Sequence, residues 1–155
     1  MNLHIISPIN PDKFTNSSLA SNRLRLKFLY KAALELGFTV TSGFNVPDHR
    51  CLVYVGKITK EIDEKKFYNT INKLDKNKSV ILVDYTDDWL NATDGKIKNI
   101  YEELMRVDST IIVPIKALES KLNSIGKKTI VIPDAIDAVS KFEPISHNNK
   151  IKNVL

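Results

Sequence analysis

The chain has 155 residues, 43% hydrophobic and 26% charged, with a formal net charge of +5 and only 5 glycines and 6 prolines. That composition describes one globular domain able to bury a real core, and it excludes a low-complexity or disordered chain. A single cysteine, Cys51, excludes an internal disulfide or a cysteine metal cluster and suits a reducing, cytoplasmic compartment.

No stretch approaches the ~20 apolar residues of a membrane-spanning helix. The basic residues are scattered with acids among them, so they read as a solvated surface, and no nucleic acid is expected as a partner. The positive balance admits an anionic partner such as a phosphorylated ligand or a membrane surface in peripheral contact, and a nucleic-acid or anionic-membrane binder using Arg23, Lys27 and Lys31 is the weakest of the readings.

In chain order, residues 3–6 form a short strand at the end of a segment without a basic leader, followed by a polar loop through Pro8 and Pro11. Residues 19–36 predict a helix with Ser17 or Ser18 as N-cap and Gly37 as its stop. At 100° per residue, Leu26, Leu29, Ala33 and Leu36 share the inward face, while Arg23, Lys27 and Lys31 face solvent. Ser18, Asn22 and Arg25 fall on the inward face near the helix start, where an α/β helix begins beside the carboxyl ends of the strands.

A short strand over 38–41 and a loop over 42–50 lead to a strand over 51–55 ended by Gly56. A helix over 60–74, capped by Thr59, turns Ile62, Phe67, Ile71 and Leu74 inward. The strand at 80–84 precedes an acidic loop, and a helix capped near Thr93 or Asp94 carries Ile97, Ile100, Tyr101 and Leu104. Then follow a strand over 110–113, a helix marked by Ile115, Leu118, Leu122 and Ile125 and stopped by Gly126, and a strand over 129–132. Strands alternating with helices imply parallel pairing, because a parallel return needs a crossover. The expected fold is α/β: a three-layer, doubly wound, Rossmann-like and mostly parallel sheet of about six strands in one domain.

Charge isolates one place in this layout. Residues 79–110 hold three basic and seven acidic side chains, whereas the stretches on either side are net positive. The segment 79–89, SVILVDYTDDW, is a buried-strand composition that turns abruptly acidic. Asp84 and Asp87 are the candidate catalytic carboxylates, able to act as base, to hold a cation or to accept hydrogen bonds from sugar hydroxyls. Tyr85, Asp88 and Trp89 are candidate substrate contacts, the aromatics offering faces for a ring.

Against this stands a purely structural reading, in which Asp84 accepts loop N–H bonds and Asp87 or Asp88 caps a turn. Ser18, Asn22 and Arg25 form the second constellation, suited to an anion at a helix start. Its structural reading is a capped helix whose Arg25 pairs with an acid of the central loop. The loop lacks GxGxxG and the Walker pattern, no spacing of ligands predicts a metal, and no cofactor is expected. His4 reads as a core residue, and His49 lies in a loop where it is free to meet a ligand.

Three stretches resemble the N-terminal domain of a two-domain glycosyltransferase of the GT-B fold, in the large group-1 family. VIPDAID followed by Phe142 and Pro144 is similar to the family's "vIPNGID…F.P", TIIVPIKALESKLNSIGKK resembles the preceding strand and helix, and VDYTDDW resembles "yD..D.w". SNRLRLKFL is also similar to the first helix of some members. Asp134-Ala135 stand where Asn-Gly is usual, Ile115 stands where Ser is common, and the Gly-rich loop after the first strand is missing.

The resemblance implies an acceptor-side domain over residues 1–140. Residues 141–155 would then be an interdomain linker and the start of a nucleotide-sugar-binding domain. It further implies sugar transfer from a nucleotide-sugar donor to a hydroxyl of a sugar-containing acceptor, without a protein-bound metal and without turnover by this half alone. In that reading Asp84, Asp87 and Trp89 line the cleft floor and Ser18, Asn22 and Arg25 its side. The reading from another class is a stand-alone, non-catalytic α/β ligand-binding or regulatory module.

Overall fold

Each short β-branched run becomes a strand, and each amphipathic run between two strands becomes a helix. The computed structural model describes residues 1–7, 13–14, 25–58 and 62–133. In chain order these form β1 (Asn2–Ile6), α1 (Lys27–Glu35), β2 (Thr39–Ser42), β3 (Leu52–Val55), α2 (Glu64–Lys76) and β4 (Val80–Asp84). A 3-10 turn (Trp89–Asn91), α3 (Gly95–Leu104), β5 (Ser109–Val113), α4 (Lys116–Ser124) and β6 (Lys128–Val131) follow.

All five strand pairings are parallel, and the six strands lie in the order β2-β1-β3-β4-β5-β6. The chain steps from β1 outward to β2, then returns past β1 to β3 and continues the other way. That reversal fixes the helix layers, because right-handed crossovers in opposite directions deposit helices on opposite faces. Accordingly α1 packs on one face with Leu3, Ile5, Tyr54 and Ile112. The other face carries α2, α3 and α4 over Val53, Val55, Ile81, Val83, Ile111 and Val113. The result is the three-layer, doubly wound, Rossmann-like arrangement expected from the alternation of elements.

The second face holds the larger core. Phe67, Ile71 and Leu74 of α2 and Ile100, Tyr101 and Leu104 of α3 are fully buried there, each such apolar side chain contributing roughly 1.5–3 kcal/mol by removal from water. Phe14 closes the α1 face, its ring edge-on to Tyr30 at 6.3 Å. No helix among the described residues is long and apolar enough to cross a membrane.

Several boundaries differ from expectation, each for a local reason. α2 begins at Glu64, not at Lys60, because the Asp63 carboxylate accepts from the Lys66 N–H and caps the helix there; the expected cap, Thr59, lies outside the described residues. Leu36 is not inward: α1 ends at Glu35, and Leu36 is 76% exposed at the C-cap. Ile115 and Ile125 sit just beyond the two ends of α4 and are half exposed, leaving Leu118 and Leu122 as its buried pair. Asp94 caps α3 as expected, accepting from the Lys96 and Ile97 N–H groups.

Candidate functional site at the carboxyl edge

Parallel strands all end on one edge, and the point where strand order reverses leaves a crevice there. In this sheet the reversal falls between β1 and β3, so the carboxyl ends of β1, β3 and β4 form the candidate edge. β4 ends on Asp84, which is 1% exposed. Asp84 lies two residues beyond Leu82, the register partner of Tyr54, so Asp84 and Tyr54 point to the same α1 face.

Arg25, in the wide turn that leads into α1, comes down onto that face and forms an ion pair with Asp84. The guanidinium is only 10% exposed. The Tyr54 phenol lies within hydrogen-bonding reach of both, and its pKa is held well above the ordinary value by burial first and by the Asp84 carboxylate second. Tyr54 therefore stays protonated and can donate to the carboxylate. An enclosed acid, base and phenol satisfy one another, and the group acts as a rivet between β3, β4 and α1.

The opposite side chain, Tyr85, turns to the other layer. Its ring is fully buried, edge-on to Tyr101 at 5.5 Å, and its hydroxyl accepts from the Leu90 N–H at 2.9 Å and donates to Asp88 at 3.2 Å. Burial pushes the phenol up to about 12. Tyr85 thus shapes the acidic loop from beneath, and offers no open face to a ring. Asp88 pairs with Lys121 of α4 and accepts from Asn91 at 3.0 Å. The Lys121 contact, above all, draws the Asp88 carboxyl below its usual range.

The outward groups are Asp87 and Lys57. The Asp87 carboxylate is 56% exposed, with Lys57 Nζ at 3.3 Å and the Thr86 hydroxyl donating to it at 3.1 Å. Trp89 is partly buried, stacked parallel on Tyr101 at 5.5 Å with the Lys57 ammonium 5.3 Å from its ring centre. Its indole Nε1 is closed from solvent and has no hydrogen-bond partner.

Of the residues singled out in the sequence, Arg25 and Asp84 are brought together, and Asp87, Asp88 and Trp89 lie along one rim. Ser18 and Asn22 lie outside the described residues. His4 is buried as expected. His49 lies at the opposite, amino edge of the sheet, bonded to Asn2 at 2.8 Å.

Sequence reasoning missed Tyr54, Lys57 and Lys121. Lys57 had a usable signal, since it follows the end of β3 by two residues and so stands on the same edge as Asp87. Tyr54 and Lys121 reach their partners only through sheet register and helix placement. No group of three or more His, Cys, Asp or Glu among the described residues could hold a metal ion. Chemically, the rim can accept hydrogen bonds from hydroxyls at Asp87 and hold a negative or polar group at Lys57. No family model, curated protein or solved structure matches the chain.

Proposed function

We propose that this chain is the acceptor-side domain of a nucleotide-sugar-dependent glycosyltransferase of the two-domain GT-B type, holding a sugar-containing acceptor at its carboxyl edge. The reading rests on the resemblance of VDYTDDW and the later segments to the group-1 family. One observation supports it most: Asp87 presents an accessible carboxylate beside Thr86 and Lys57 at the edge where doubly wound sheets bind ligands. Asp87 is the group to accept a hydrogen bond or proton from the acceptor hydroxyl, and Lys57 orients it. Buried Asp84 and Arg25 position the loop and do not touch the acceptor. The donor nucleotide and its sugar would be supplied by a second domain, with no cofactor.

A non-catalytic binding module is the second reading, and it draws support from the enclosed, paired state of Asp84, which leaves Asp87 as the accessible carboxylate of this rim among the described residues.

Trp89 is the sole tryptophan and lies beside Lys57, so its fluorescence reports on this rim directly. Glycosides are expected to change that emission saturably, and Asp87→Ala to weaken their binding at least tenfold with an unchanged circular dichroism spectrum. In the polypeptide that the gene encodes, the same substitution is expected to lower kcat/KM for sugar transfer at least tenfold. Glycoside binding and transfer that are both indifferent to Asp87→Ala would overturn the assignment. Binding that depends on Asp87 without any transfer would leave the module reading in place of the enzyme.

A further inference from the structure

The amino edge of the sheet carries a second concentration of charge that the carboxyl-edge reading does not use. A cleft of about 420 Å3 opens there at the starts of β4, β5 and β6, within the range of small-molecule sites. Arg50 precedes β3, Lys78 fills the turn between α2 and β4, and Lys128 opens β6, and all three line the cleft. All three are exposed, and none makes an ion pair or a side-chain hydrogen bond among the described residues. Asp75 and Asp108 stand at the same rim, also without ion pairs. The wall includes the Ser109 hydroxyl, closed off and without a hydrogen-bond partner.

The backbone adds an independent sign. α1 and α4 each end on a residue in the left-handed region just past the C-cap, and in both it is a glycine, Gly37 and Gly126, each at φ 77°. α2 ends in the same way, but the residue is Lys78 at φ 53°, the single non-glycine with positive φ among the described residues. A β-carbon is disfavoured in that conformation, and glycine is the residue that ends helices there at least cost. Lys78 adopts this conformation despite its β-carbon, and it lines the cleft together with Arg50 and Lys128.

We propose that this amino-edge cleft is a binding site for a phosphorylated small molecule carrying hydroxyl or amino groups. Arg50, Lys78 and Lys128 take the phosphate, and Asp75 and Asp108 accept hydrogen bonds from the remainder. Adjacent strands lie ~4.8 Å apart, so cations spread from β3 to β6 span about 14 Å, room for a phosphate and one sugar-sized group. Mixed charge favours such a ligand over a plain polyanion, which the two carboxylates would repel. The site stands apart from the carboxyl edge and does not depend on the function proposed for it.

The test is an amide chemical-shift titration of the isotope-labelled protein with glucose 6-phosphate, glucose and inorganic phosphate at constant ionic strength. Saturable shifts are expected at residues 50, 78, 108–110 and 128 with glucose 6-phosphate, smaller ones with phosphate, and none with glucose. Lys78→Gly and Lys128→Gln should each weaken binding at least fivefold, while Lys78→Gly leaves the fold intact because glycine suits the turn. A parallel sedimentation arm with phosphatidylglycerol vesicles distinguishes the sources of the phosphate. Vesicle binding lost in both variants assigns a lipid headgroup, and its absence beside glucose 6-phosphate binding assigns a soluble ligand. Failure of both arms, or binding that survives both substitutions, overturns the proposal.

Discussion

Arg25 and Asp84 show how one pair of side chains can serve as an organiser without being reactive. Both are nearly closed from water, and a buried charge left without its partner costs about 3–5 kcal/mol, whereas removing both charges together costs far less. Arg25→Met is therefore expected to lower the unfolding free energy by about 3 kcal/mol, measured by urea denaturation. The double variant Arg25→Met/Asp84→Leu should recover at least half of that loss. If the single substitution is neutral, the pair is not the rivet described above.

His4 supplies a pH-dependent counterpart. Its Nε2 donates to the Gly43 carbonyl at 3.0 Å and its Nδ1 accepts from the Thr41 hydroxyl at 2.8 Å, a pattern that suits the neutral ring. Burial lowers its pKa below 6.5 against the opposing pull of the Gly43 carbonyl. Below pH 6.5 the unfolded chain therefore binds the proton more readily than the folded one, and stability falls as pH drops from about 6.5 through the folded value. Thermal melts between pH 7.5 and 5 should show this fall, and His4→Gln should flatten it. An unchanged slope in the variant would assign the pH dependence elsewhere.

At the scale of elements, much was legible because period and punctuation agree. Val80–Asp84 is the strand its β-branched run predicts, and the Asp94 cap and the buried positions Ile97, Ile100, Tyr101 and Leu104 follow from the 3.6-residue period. What failed lies at helix ends, where periodicity continues past the last hydrogen-bonded turn. Leu36, Ile115 and Ile125 keep the helical spacing but sit outside the helix and meet solvent. Sequence alone leaves the start of α2 open, because Thr59 and Asp63 are both capping residue types and only the observed bond to Lys66 chooses between them.

For the site, composition showed that the loop after β4 is acidic but could not divide its members. Sheet register and the two-sided core divide them. Asp84 faces α1 and is sealed by Arg25, Tyr85 faces α3 and is sealed by Tyr101, and Asp87 faces neither layer and stays open. The alternation of side chains at a strand's end sets these fates, but the partners of the three carboxylates come from 30–59 residues away in sequence.

At the scale of the whole molecule, the described residues cover the two faces of the sheet unequally. α2, α3 and α4 lie on one face and α1 on the other, so β3, β4 and β5 share the larger core while β2 and β6 form the edges. Ile130, on the α1 side of β6, remains 45% exposed, and among the described residues β6 hydrogen bonds to β5 alone. Cooperative opening follows burial and pairing, so a singly paired and partly bare strand opens before the strands paired on both sides. Native-state hydrogen exchange should therefore rank the amides. Val53, Val83 and Ile111, all fully buried in central strands, should exchange only by global unfolding. Those of β6 and β2 should open at free energies lower by about 2 kcal/mol or more. Equal protection across all six strands would mean that the thin side is covered as well as the thick one, and the asymmetry of the layers would then have no energetic weight.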